Sequence, residues 1–146
     1  MSITSGEECG TAVVWYLLAN AAAVTAVVPS TQIMEGDVPV NTPMPAIGVK
    51  QISSVPYNLI KTNTTPKVHT DRVQVTAFRG ASPGDSGYPG LKSLLTLILA
   101  ALSSRYGSVN GINVQSITPD VEGPDLSIEP EGIVSRSRDF LVRWSI

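Results

Sequence analysis

The sequence predicts an α+β domain: a mostly antiparallel sheet of four to five strands with two main helices packed on one face. Three observations carry that prediction. Two long apolar runs have helical spacing, several shorter runs alternate in strict strand fashion, and the order in which they follow one another is distinctive. That order is helix, strand, strand, strand, helix, strand, strand, so strands neighbour one another with a helix inserted. With 146 residues, 42% of them hydrophobic, the chain forms one domain, 1–146, with apolar surface for a single core.

The first helix follows Ser5-Gly6-Glu7-Glu8, which has the spacing of a capping box. Val13, Val14, Leu17, Leu18 and Ala21 then recur on one face. Asn20 is placed to cap a second short piece, Ala21 to Val28, which Pro29 ends. Thr31 to Glu35 is a short strand, and the prolines at 39, 43 and 45 make the following stretch an extended loop. Ala46 to Val55 reads as a strand and Pro56 to Pro66 as a loop. Lys67 to Arg79 is the clearest strand of the middle, with Val73, Val75 and Ala77 on one face and Arg72, Gln74 and Thr76 on the other. Gly80 to Gly90 is rich in turn residues. Leu91 to Tyr106 is the strongest helix, with a broad apolar arc running from Leu91 to Tyr106 and a narrow polar stripe of Lys92, Thr96 and Ser103. Leu99 falls inside that stripe and is expected to be exposed. Val109 to Thr118 alternates again, and Pro119 to Pro130 reads as an acidic loop. Ile133 to Ile146 closes the chain as a strand, with Phe140, Val142, Trp144 and Ile146 sharing a core-facing side that fixes the terminus in the sheet.

Composition excludes several classes of function. Charged residues are 15% and the formal net charge is -2, so a basic nucleic-acid binder and a disordered chain are both excluded. The single cysteine, Cys9, forms no internal disulfide and cannot anchor a zinc site; it reads as a small apolar residue near a helix start. Thr11 to Val28 is apolar but Ala- and Val-rich, is preceded by Glu7 and Glu8, and lacks a basic flank. A core helix is therefore expected there, and no signal peptide or membrane span. The low charge content also suggests that part of the surface does not face water. The charges are sorted: Lys50, Lys61, Lys67, Arg72 and Arg79 lie in the middle against Asp71 alone. Asp120, Glu122, Asp125, Glu129 and Glu131 lie late with no cation between them. Either these are two solvated loops, or they are complementary patches that meet between copies.

The most suggestive motif is Gly84-Asp85-Ser86-Gly87, which resembles the nucleophile segment of chymotrypsin-like serine proteases, with His69 and Asp71 earlier in the chain. A triad needs histidine between aspartate and serine in space, supplied by separate loops. Here His69 and Asp71 share one face of one strand, so Ser86 reads instead as a turn residue or helix cap, and His69 as a solvated strand residue. Phosphate-binding glycine loops and calcium-loop spacings are absent from the sequence. No catalytic residue, metal ligand or cofactor is assigned.

Taken together, the pattern resembles the tail-completion (tail-terminator) proteins of tailed bacteriophages. The residues that carry the resemblance are Leu17 through Val28, then Gln32-Ile33-Met34-Glu35-Gly36 and Pro43-Met44-Pro45-Ala46-Ile47-Gly48-Val49. They continue with Arg72-Val73-Gln74-Val75-Thr76-Ala77-Phe78, the leucine helix, and Gly132 through Trp144. The Pro56–Pro66 and Pro119–Pro130 loops are longer than the family pattern. The resemblance implies a hexameric ring at the head-proximal end of the tail tube, which ends tube polymerisation and offers the surface that joins the head. It further implies contact with the tail tube protein and with a head-completion or neck protein, DNA only in transit through the lumen, no membrane, and a place in the virion after assembly in the host cytoplasm. The candidate subunit or partner contacts are Lys50, Leu59, Ile60, Lys61, Lys67, Leu99, Asp120, Glu122, Asp125, Glu129 and Glu131. The 120–131 loop is expected to face the lumen or a neighbour's 50–79 segment, and Leu59 with Ile60 either to fold back on their own core or to dock on an adjacent ring protein. Competing readings are another neck or minor tail protein, a soluble ligand-binding domain, and a small hydrolase acting through Ser86.

Overall fold

The computed structural model describes residues 9–57, 68–128 and 132–145. Helix α1 (Cys9–Ala19) and the short α2 (Ala22–Thr25) lead, by a 3-10 turn, into strand β1 (Ile33–Glu35). Then follow β2 (Ala46–Tyr57), β3 (Val68–Gly80), helix α3 (Tyr88–Leu102), β4 (Gly107–Val109), β5 (Ile112–Glu122), β6 (Leu126–Ile128) and β7 (Ile133–Ser145).

The strands form one seven-stranded sheet in the order β1-β2-β3-β7-β5-β4, with β6 paired to β7 off this path. Only the β1–β2 pair is parallel. The mostly antiparallel α+β character is as expected, but the sheet is larger than four to five strands. The added strands are β6, from the segment read as an acidic loop, and β4, which sets Gly107–Val109 apart from the strand read over Val109 to Thr118. Pro119 to Glu122 extends β5 past a bulge, Leu126–Ile128 pairs with the start of β7, and Gly107–Val109 folds back on β5. Prolines and acids suit sheet edges and bulges, where no ladder bond is lost, which is why the loop signal misled.

Both main helices lie on one face. α1 packs on β1, β2 and β3, α3 packs on β3, β5 and β7, and the two helices touch. The core between them and the sheet contains Val13, Val14 and Leu18 of α1, and Leu91, Leu94, Ile98 and Leu102 of α3. Val73 and Val75 of β3 and Phe140, Val142 and Trp144 of β7 close it from the sheet side. β7, last in sequence, runs between β3 and β5, so both its edges are hydrogen-bonded. Ile146 lies outside the described residues, as does the Ser5 capping box.

Three local expectations change. α3 ends at Leu102 because Ser103 is extended and Ser104 is left-handed at φ 61°; Tyr106 therefore leaves the apolar arc and is 82% exposed. Asn20 does not cap α2; its side-chain amide donates to the Tyr16 carbonyl and closes α1 instead. The start of α1 is capped from a distance: the buried carboxylate of Asp71, on β3, accepts from the Gly10 N–H at 3.0 Å.

Candidate functional site

The helix-facing side of β7 changes character along its length. Phe140, Val142 and Trp144 are fully buried, and the same parity carried backwards places Arg138 and Arg136 on that face. The register sets Arg138 opposite Val75 and Arg136 opposite Ala77. The apolar layer thus runs out into a pair of arginines beside the first half of α3. Arg136 is tightly held. It donates to Asp125 at 2.6 Å, to Glu122 at 2.7 Å and to the Tyr88 hydroxyl at 2.7 Å, and it lies over the Tyr88 ring. The bond from Arg136 keeps the Asp125 carboxyl below the ordinary range, and Asp125 in turn strengthens the hold of Arg136 on its proton. Arg138 is held loosely, with one 3.4 Å contact to Glu122 and a buried Nε without an acceptor.

Between α3 and these arginines lies a cleft of about 200 Å³, walled by Lys92, Leu95, Thr96 and Leu99 on the helix and by Arg136 and Arg138 on the strand. Leu99 is half-buried here and packs against the core, not exposed, because it lines the cleft shared with Arg136 and Arg138.

The opposite face of the sheet carries a second network. Arg72 donates to Asp120 and, at 3.2 Å, to Asp139, and all three are partly buried. These two carboxylates raise the proton affinity of Arg72 further. The basic middle and the acidic late segment therefore meet within one chain at Arg72 and Asp120. Lys50 is likewise paired, to Asp37 at 2.8 Å on the exposed surface. Of the expected contact residues, the structure places Lys50, Leu99, Asp120, Glu122 and Asp125. It brings Leu99 and Glu122 together at the α3 cleft, with Asp125 bonded to Arg136 beside it. Leu59, Ile60, Lys61, Lys67, Glu129 and Glu131 lie outside the described residues. Arg136 and Arg138 were missed in the sequence reading, although continuing the period of two back from Phe140 puts them on the buried side.

The hydrolase motif is dispersed. His69 is not a solvated strand residue: its ring stacks on Trp144 at 4.4 Å between centroids and 8° between planes. Asp71 faces the core and accepts from Gly10 N–H, from Trp144 Nε1 at 2.8 Å and from Ser54 Oγ at 2.5 Å. Burial pushes its carboxyl above the ordinary value, against the pull of these donors and of nearby His69. Ser86 lies beyond the far end of β3, about 35 Å of extended strand away from His69. It is an exposed turn residue whose Oγ accepts from Tyr88 N–H at 3.4 Å; the cap of α3 is Gly87. Among the described residues no group of three His, Cys, Asp or Glu side chains could hold a metal, and no helix is long and apolar enough to cross a membrane.

What the fold defines is a small mixed domain with two unlike charged surfaces, one at the α3 cleft and one on the outer sheet face. No family model and no curated protein matches the sequence. Among solved structures the chain is similar in fold to a chain from the virion of a native gene transfer agent (GTA) particle, with a TM-score of 0.68 and 14% identity. The match covers 97% of this chain and 100% of that one.

Proposed function

We propose that this chain is a structural subunit of a phage-type virion, and that within it the chain completes the tail. Six copies form a ring at the head-proximal end of the tail tube, stop its growth and present the surface on which the neck assembles. The observation that supports the reading is the end-to-end fold likeness to a virion chain, with neither partner leaving a domain unmatched. The residue pattern that resembles tail-completion proteins spans the same elements: α1 and α2, β1, the proline loop with the start of β2, β3, α3 and β7. In this reading Leu59, Ile60, Lys61, Lys67, Glu129 and Glu131 belong to contacts with copies or with neighbouring virion proteins, and DNA passes through the lumen only in transit.

Negative-stain imaging and mass photometry of the purified protein test it. Rings with a central hole and the mass of six subunits are expected, together with capping of tail tubes polymerised in vitro. A monomer that neither forms rings nor halts tube growth refutes it. Charge reversal at Lys61 and Lys67 is expected to weaken the ring.

A further inference from the structure

One row of residues across the helix face of the sheet joins two unlike edges. Glu35 of β1 registers with Val49, Val49 with Val75, Val75 with Arg138, and Arg138 with Glu122 of β5. Strands about 4.8 Å apart set Glu35 about 14 Å from Arg138 along this row. β4 pairs only with Ile112 to Val114, so among the described strands β1 and β5 are the two ends of the row.

The two ends are complementary. At the β1 end Glu35 is exposed and, among the described residues, its side chain makes no hydrogen bond or ion pair. Ile52, 50% exposed, lines the same open pocket of about 500 Å³. Lys50 in that pocket is already matched by Asp37. This end therefore offers one uncompensated carboxylate beside an apolar side chain. At the other end Lys92 lies over the Tyr88 ring at 5.5 Å and interacts electrostatically with Asp125, and Arg138 keeps one long contact and a buried N–H without an acceptor. Leu95 and Leu99 lie in the same cleft. This end offers the cations Lys92 and Arg138, the Arg138 side chain being 29% exposed, beside apolar side chains, with Glu122 of the same cleft already bonded to Arg136.

We infer that the cleft between Lys92, Leu99 and Arg138 receives the Glu35–Ile52 edge of a second copy of this chain, an inference that rests on the ring reading above. Because the two patches differ, the contact is head-to-tail, and its repetition closes a ring when the rotation per subunit allows. A two-fold contact through either patch sets like charges together and is disfavoured.

The test is a charge swap read by sedimentation velocity over a dilution series, with circular dichroism melts to confirm folding. E35K and R138E, each alone, are expected to raise the concentration for half-assembly about tenfold or more. The double variant E35K/R138E is expected to return to within about threefold of wild type. Single variants that assemble like wild type overturn the inference while leaving the ring reading in place. The same holds if both singles disassemble and the double does not recover, or if all variants form rings and fail only to bind tail tubes. A wild-type chain that never assembles overturns both.

Discussion

Replacing Asp71 with alanine removes the acceptor of three hydrogen bonds, from Gly10 N–H, Trp144 Nε1 and Ser54 Oγ. The first two donors are enclosed, and both bond the same oxygen, Oδ2. An enclosed donor left without a partner costs about 1–3 kcal/mol. Two of them put the expected loss at about 2–6 kcal/mol, and relief from removing a buried carboxyl draws it toward the lower half of that range. Against a domain stability of about 5–15 kcal/mol this is a large fraction. Asp71→Asn is predicted to behave very differently. Its carbonyl oxygen replaces Oδ2 and keeps both enclosed bonds, while its amide nitrogen donates to Ser54 Oγ, so the change is within about 1 kcal/mol of neutral.

The same pair of variants carries a pH signature. Burial raises the Asp71 carboxyl pKa in the folded chain above its unfolded value. The folded state then holds its proton more tightly than the unfolded state does. The stabilising contribution is full below about pH 3.9 and is lost as pH rises through the folded value. Asp71→Asn has no such titration, so its stability relative to wild type should improve as pH climbs above 4. Urea unfolding followed by tryptophan fluorescence at several pH values measures both effects. Equal losses for the alanine and asparagine variants, or a wild-type-to-asparagine gap that does not change with pH, would refute the reasoning.

Gly10→Ala should lower the melting temperature although alanine is the better helix former by about 1 kcal/mol. A Cβ at that position would sit 2.4 Å from Asp71 Oδ2 and 2.7 Å from Asp71 Cβ, and the carboxylate is tied in place by its other bonds. Arg72→Met strands Asp120 and Asp139 near each other on the outer face. Its urea midpoint should fall at pH 7; a midpoint equal to that of the wild type would count against that pairing.

Much of the core could be read in advance because its signals are local. The alternation of Val73, Val75 and Ala77 and of Phe140, Val142 and Trp144 assigns the inward face correctly, as does the arc from Leu91 to Leu102. The misses around the charged clusters share one cause: side chains whose roles depend on partners far away in sequence. Asp71 and His69 look like polar strand residues, and only the placement of β3 beside β7 and under α1 turns them into a helix cap and an aromatic stack. Asp120 and Glu122 lie in a proline-rich acidic stretch with the local signature of a loop, yet pairing with β7 makes them the end of β5. The sorting of basic and acidic residues was legible as composition. Which charges meet inside the chain required the register of β7.

The low charge content acquires a meaning from that internal pairing. Lys50 is matched by Asp37, Arg72 by Asp120 and Asp139, and Arg136 by Glu122 and Asp125. A charge matched within its own chain contributes little to the field that a neighbour meets. On the helix-face row this leaves Glu35 at one end and Lys92 with the loosely held Arg138 at the other. On a surface crowded with mixed charges, one such difference would select neither register nor direction. In the proposed head-to-tail contact of a chain with 15% charged residues, it would select both: a neighbour turned the wrong way would place carboxylate against carboxylate, and one slipped along the strand would miss the cleft. Exposed charges of this kind are screened within about 8–10 Å at physiological salt. In the proposed contact they would therefore set the polarity of association at contact range, while the affinity would come from apolar side chains such as Ile52 and Leu99 that the contact takes out of water.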